Sequence, residues 1–420
     1  MSDFAWPVRF GALSERSFRL LWLARTSSAV GDRMVPVALA FAVIGLSGSG
    51  TDLGLVLAAG MIPNVVFVLA GGVVGDHFDR ARVMLSTDLV RAVSQGTIAF
   101  LLLSGHAAVW NLALSSAIWG AASAFFTPAS TGVVPATVSA PRLQQANALT
   151  GLTRNVIGLG APIASGLLVA SVGAGVVFAI DSASFVASAF FLLQLRLPKT
   201  RVRESHRFVS DLVGGWRELT ERTWLWISVI AFSLWNLAIA VFFVLGPLVV
   251  SRELGGARDW GFVMAGSSVG ALLGGTIALR WKPSRPLVTL FSVSMVSALQ
   301  LVLLVPPAPA WALALAAVAA MTCVSMSVVL WTTTLQEQIP ERALSRVSAY
   351  DWLGSLVAMP VGYALAGPIA SGVGVDTTLI GAACIMVGAC VAALSVPSLR
   401  AVRRVGAEEV TATHTVGAAA

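Results

Sequence analysis

Asp32 is the residue in this sequence best placed to do chemistry. It falls near the middle of an apolar run extending from about Phe18 to Leu46, too deep for its carboxyl to reach water by stretching toward a helix end. An ionisable group in hydrocarbon costs about 2.5–3.5 kcal/mol on insertion scales, so it needs a partner or a task. A carboxylate there can take up a proton while dry and release it when water or a cation approaches. Arg25 lies seven residues earlier on the same helical face, while Arg33 points about 100° away. The competing role is a static ion pair with an arginine of another helix, Arg154 being the first choice of partner. Asp32, Arg33 and Arg154 therefore form the candidate proton-coupling set, with Arg154 equally suited to meet an anionic substrate.

Other charges in apolar runs have simpler accounts. Asp88 and Arg91 are three residues apart and can pair along one helix. Asp181 and Asp351 are expected in the first turns of their helices, where an acid favours the helix dipole. Trp119, Trp235, Asn236, Trp331, Tyr350 and Trp352 fall inside apolar runs and form the candidate substrate cavity, because flat apolar faces with few polar groups suit large lipophilic molecules. Trp22, Trp110, Trp224, Trp226, Trp260, Trp281 and Trp311 stand nearer run ends, where indoles favour the bilayer interface.

Several chemistries are excluded. There is no phosphate-binding G-x-x-x-x-G-K-[ST] loop, so ATP is not used through one. The single G-x-S-x-G match, Gly266–Gly270, lies inside an apolar helical run with no strand before it, and small residues for helix packing explain it. The four histidines are scattered, and the three cysteines lie in apolar runs without metal-ligand spacing. No catalytic residue, metal or cofactor is expected. Any transport would be driven by a gradient or be passive.

These residues must be positioned by membrane-spanning helices. The chain is 57% hydrophobic and 11% charged, with a mean hydropathy of +0.84, against about 25% charged residues in soluble domains. Apolar runs of about 20 residues recur roughly twelve times. The first carries Arg25, Asp32 and Arg33 and lacks a small-residue cleavage motif, so it reads as a span and not a signal peptide. The net charge of +7 comes from basic residues at alternate loops, not from a nucleic-acid surface. Of the 27 Lys+Arg, 21 fall in segments on one side of the membrane and two, Arg252 and Arg258, on the other. This bias places both termini in the cytoplasm.

The expected fold is all-α and multispanning, with two pseudo-symmetric six-helix halves. Residues 1–195 form the first half, and 196–223 a basic linker whose Phe208, Leu212, Trp216 and Leu219 make an amphipathic stripe suited to the membrane surface. The second half is 224–397 and the polar tail 398–420. Helix boundaries leave Pro128–Gln145 as a semi-polar connection and Leu287–Pro306 as one helix. Pro162-Ile163-Ala164-Ser165-Gly166 recurs as Pro368-Ile369-Ala370-Ser371-Gly372, about half a chain later. Parallel repeats of this kind imply an axis normal to the membrane.

Between the second and third runs, Gly72-Val73-Val74-Gly75-Asp76-His77-Phe78-Asp79-Arg80-Ala81-Arg82 concentrates charge in a tight turn. This stretch resembles the signature loop of the major facilitator superfamily of transporters. Leu21–Arg25 with Gly31-Asp32, Asp88–Ala92, Phe125–Ala129, Gln145–Leu149 and Leu335–Pro340 are similar to its bacterial drug-exporter branch of proton antiporters, which includes macrolide efflux and enterobactin exporter proteins. The resemblance implies that Gly72, Asp76, Arg80 and Arg82 form a conformational latch near Leu344–Arg346, with His77 and Asp79 as departures from the pattern. It also makes Gly158, Pro162 and Gly166 part of an antiporter-like packing motif, with Ala161 and Ser165 where glycines are usual. The implied function is export of a hydrophobic or amphipathic small molecule by proton antiport through the bacterial inner membrane. The partners are then lipid, protons and the cargo, and the chain is a monomer. A nutrient importer or uniporter and a non-transporting receptor or lipid-handling protein are the alternatives.

Overall fold

The computed structural model describes residues 8–195 and 217–404. A 3-10 helix, Val8–Ser14, leads into α1 (Arg16–Ser47), α2 (Gly50–His77), α3 (Arg80–Leu103), α4 (Val109–Thr137), α5 (Leu143–Val172) and α6 (Ala174–Leu193). There follow α7 (Thr223–Glu253), α8 (Ala257–Arg280), α9 (Pro286–Ser294), α10 (Leu299–Val302) and α11 (Ala310–Gln338). The series closes with α12 (Glu341–Leu356), α13 (Ala358–Val373), α14 (Val375–Ser395) and the short α15 (Pro397–Ala401). No strand longer than an isolated bridge occurs among the described residues. Lipid favours this outcome, because a helix satisfies its own backbone where water cannot.

Ten described segments are long and apolar enough to cross a bilayer, one of them joining the end of α12 to α13. The charged α3, 24 residues long, and the shorter apolar stretch Pro286–Val302 add two further candidates. Large apolar side chains face outward, including Val93 (71% exposed), Phe100 (70%) and Leu279 (77%). In water that surface would drive association; against acyl chains it is the expected exterior.

Two expected boundaries are corrected. Pro128–Gln145 is not a connection, since α4 runs through Pro128 and Pro135 to Thr137; spanning helices tolerate proline where neighbouring groups re-satisfy the backbone. The helix expected over Leu287–Pro306 is broken, passing from α9 through a 3-10 turn, Met295–Ala298, into α10. Of the linker, 196–216 lies outside the described residues. Leu219 is buried in an apolar core with Leu225, Leu287 and Trp331 and does not lie on a membrane surface.

The chain divides into two compact units. The first gathers Met1–Glu204, Val244–Ala265 and Tyr363–Ser371, and the second Ser205–Phe243, Gly266–Gly362 and Gly372–Ala420. In the first, α2 packs chiefly on α4, and α1 and α3 on α6. Its core centres on Met34, Ala38, Leu53 and Phe178, with a second cluster around Leu21, Met84 and Leu192. At the start of α1, Glu15 accepts from the Ser139 hydroxyl at 2.7 Å, the Ser139 N–H at 2.9 Å and Arg142 at 3.3 Å. These donors, the Ser139 hydroxyl foremost, hold the Glu15 carboxyl below the usual carboxylate range.

Asp79, a departure from the superfamily loop, has a definite structural task. Its backbone is extended and its carboxylate accepts from the N–H groups of Ala81 (2.9 Å) and Arg82 (3.3 Å), capping α3. Asp79→Ala is expected to lower stability by about 1 kcal/mol, read as a lower denaturation midpoint of the detergent-solubilised protein. An unchanged midpoint would mean that the cap contributes nothing.

Candidate functional site

The first unit gathers its buried charge where α1, α3, α4 and α6 meet. Asp32 projects from α1 four residues before Pro36, which has no N–H to donate to the Asp32 carbonyl. The helix ladder is thus interrupted at Asp32. Trp119 of α4 donates its indole N–H to Asp32 Oδ1 at 3.1 Å. Arg91 of α3 brings Nη1 to 3.8 Å from Asp32 Oδ2, while its Nη2 donates to Asp88 Oδ1 at 2.6 Å. Ser188 of α6 donates to the other Asp88 oxygen at 2.6 Å.

Beside this group, Gln95 donates to Asp181 Oδ2 at 2.8 Å and accepts from Ser115 at 3.2 Å. The approach of α6 to α1 requires Gly31, because a Cβ there would meet the Asp181 carboxylate and the Ser184 hydroxyl. Arg91 is only 2% exposed, and its guanidinium lies between Phe126 and Phe185, 4.4 and 4.5 Å from the ring centroids. Two carboxylates, Asp32 and Asp88, share this one guanidinium, while Asp181 beside them is held by Gln95. Asp181 Oδ1 and Arg91 Nε, both buried, have no hydrogen-bond partner among the described residues.

Of the three carboxylates, Asp32 is the one open to a cavity. Its side chain is 26% exposed and lines a space of about 390 Å³ with Asn64, Gln95, Ser115, Trp119 and Tyr363. That volume falls in the range of small-molecule pockets, roughly 300–1,000 Å³.

Several expectations change. Arg154 is not the partner of Asp32; it shares a separate pocket of about 90 Å³ with Arg25, Trp22 and Thr153. Arg91 takes the role because its long side chain spans from Asp88 on its own helix to Asp32 on α1. The Asp88–Arg91 pair exists as expected, but as half of a larger network. Arg33 is exposed and makes no ion pair among the described residues. Asp181 is not in a first turn: it sits about two turns into α6, where it is fully buried. Asp351 is likewise deep in α12, which begins at Glu341.

The aromatic residues divide between two places. Trp119 belongs to the cavity of the first unit. Trp235, Asn236, Trp331 and Trp352 meet around a second cavity of about 410 Å³, wholly within the second unit. Tyr350 packs against the core there and does not line the cavity. Trp260, expected at the interface, is 3% exposed, whereas Trp110 and Trp311 are 65% and 68% exposed.

In the packing motif, Gly158, Pro162 and Gly166 are all buried in α5. Gly166 faces Gly261 so closely that a Cβ on it would approach the Ala257 carbonyl to 2.5 Å. Ser165 donates to the Met34 carbonyl at 2.7 Å, a bond that a glycine would not make. Of the latch, Arg82 is exposed at the start of α3 and Arg80 is its first residue. The side-chain surroundings of positions 72 and 76, of His77 and of Arg346 lie outside the described residues.

Comparison with known proteins places this geometry. The chain is 24% identical over 402 residues to the multidrug efflux pump Tap of Mycolicibacterium fortuitum, covering 91% of this chain and 96% of that protein. It is 23% identical over 370 residues to macrolide efflux protein A of Streptococcus pyogenes (86% and 90% covered). Identity to the enterobactin exporter EntS of Escherichia coli is 28% over 383 residues (87% and 88%). In fold, it matches the crystal structure of a bacterial homologue of the human lysosomal transporter Spinster, with a TM-score of 0.70 at 13% identity, covering 94% of this chain and 99% of that one. The model of the transmembrane secretion effector family matches residues 8–415. With its membrane-spanning helices, cavities and buried charge, the chain belongs to that family of the major facilitator superfamily and is a membrane transporter, not an enzyme.

Proposed function

We propose that the protein exports a hydrophobic or amphipathic small molecule across the bacterial inner membrane by proton antiport, with both termini in the cytoplasm. The observation that carries this reading is Asp32, held by Trp119 and Arg91 yet open to an apolar cavity inside a membrane-spanning unit. A carboxylate so placed has two environments to choose between: dry against the aromatic wall, or wetted when the cavity opens. Proton binding and release then follow cavity hydration. The efflux and exporter relatives support the direction, and the arginine bias of the loops supports the orientation. The cytoplasmic linker 196–223 would join two six-helix halves that alternate access to the cavities.

The test uses inside-out vesicles containing the full chain, energised with acid inside. Ethidium is expected to accumulate only in vesicles that carry the protein, and an uncoupler is expected to release it. Accumulation indifferent to the uncoupler would overturn proton coupling. Passive equilibration with the gradient intact would overturn export.

A further inference from the structure

The cavity of the second unit contains a carboxylate treated quite differently from Asp32. Asp351 Oδ2 accepts the indole N–H of Trp331 at 2.8 Å, and Oδ1 accepts from Ser355 at 3.4 Å. No cation stands beside it among the described residues, whereas Asp32 and Asp88 share Arg91. A carboxylate inside a membrane-spanning unit, with no counter-ion among the described residues, is suited to receive a cation.

Its surroundings define what that counter-ion would be. Phe232, Trp235, Phe291, Trp331 and Trp352 line the same space of about 410 Å³. Three of the rings are in contact with one another. Phe232 meets Trp331 edge-on with centroids 4.8 Å apart and stacks on Phe291 at 5.5 Å. Such walls reject a hydrated metal ion and receive an organic cation, whose diffuse charge is attracted by ring faces. A second opening for a ligand is the indole N–H of Trp235, which is buried without an acceptor among the described residues. Asn236, on the same wall, donates one amide N–H to the Phe232 carbonyl at 2.9 Å.

We propose that this cavity binds a lipophilic organic cation, with Asp351 as counter-ion, the aromatic rings as walls and Trp235 as donor to an acceptor group on the ligand. The inference rests on the export reading and specifies the charge of the cargo. It also separates two tasks: the carboxylate with its own arginine handles protons, and the carboxylate without one recognises cargo.

The test is equilibrium binding of tetraphenylphosphonium, a permanent cation, and triphenylphosphine oxide, a neutral analogue with an acceptor, to the purified full-length protein in detergent. Asp351→Asn keeps the acceptor for Trp331 and removes the charge. It is expected to weaken tetraphenylphosphonium at least tenfold and to leave the neutral analogue within twofold, while Asp351→Glu retains cation binding. A folded Asp351→Asn protein, with unchanged elution and unfolding midpoint, that binds the cation as the wild type does would overturn the proposal. Asp351 would then serve only to seat Trp331. If Asp351→Asn does not fold, the wild type supplies the decision: a tenfold preference for the cation supports the site, and equal affinities overturn it. Binding needs no gradient, so a failure of proton-driven export in vesicles leaves this result standing. A wild type that drives ethidium export but holds the cation no tighter than the neutral analogue would overturn this site and leave the export reading standing.

Discussion

Asp32→Asn is expected to reduce proton-driven export to the level seen with an uncoupler, while the protein still folds and inserts. Asparagine keeps an oxygen at the position that accepts the Trp119 N–H at 3.1 Å, so the wall of the cavity is held as before. It removes the negative charge and the ability to carry a proton. The structural loss is small, because Arg91 approaches Asp32 only to 3.8 Å and keeps its 2.6 Å bond to Asp88. A stability change of about 1 kcal/mol or less follows, within the ordinary range for a partly exposed substitution. The measurement is ethidium accumulation in inside-out vesicles under an imposed pH gradient, paired with the thermal unfolding midpoint of the purified variant. Full gradient-driven efflux by Asp32→Asn would remove Asp32 from the coupling role. Lost efflux together with a collapsed midpoint would show that the residue is structural.

The contrast between Asp32 and its neighbours shows which features the sequence displays. Hydropathy locates the spans because lipid acts on every residue of a run in the same direction, and helix ends shift by only a few residues, as when α1 begins at Arg16 and not Phe18. The i,i+3 spacing of Asp88 and Arg91 likewise predicts a real pair. The partner of Asp32 is a different kind of fact. It depends on α1, α3 and α6 converging, and that convergence is set by small residues such as Gly31 against Asp181, whose effect is visible only when both helices are placed. Arg154 and Arg91 are equally arginines in apolar runs, and nothing local distinguishes them.

Depth within a helix is legible only as well as the helix start. The assumption that an intramembrane acid must serve the helix dipole hid the position of Asp351, well inside α12 and beside Trp331. Among the aromatics, composition marks Trp235, Trp331 and Trp352 as candidates for a cavity wall. Only packing separates them from Tyr350, which turns to the core. The semi-polar stretch from Pro128 misled for a related reason: within a packed membrane unit the backbone continues as helix through Pro128 and Pro135.

Arg91→Met is expected to destabilise the protein by about 3–5 kcal/mol, the range for removing one partner of a buried ion pair. Methionine matches the aliphatic length between Phe126 and Phe185 and keeps the apolar packing, so the loss is of charge and hydrogen bonds and leaves no large void. Asp88, fully buried, would retain only Ser188, and Asp32 would retain only Trp119. Arg91→Lys should recover only part of the loss, because an ammonium cannot reach both carboxylates in one plane or lie flat between two rings 4.4 and 4.5 Å away. The double variant Arg91→Met/Asp88→Asn should recover more, since it removes the carboxylate left most deeply stranded. Denaturant unfolding of the three purified variants checks the order: Arg91→Met least stable, the double variant and Arg91→Lys between it and the wild type. If Arg91→Met unfolds at the wild-type midpoint, the guanidinium is not what holds Asp32 and Asp88 together.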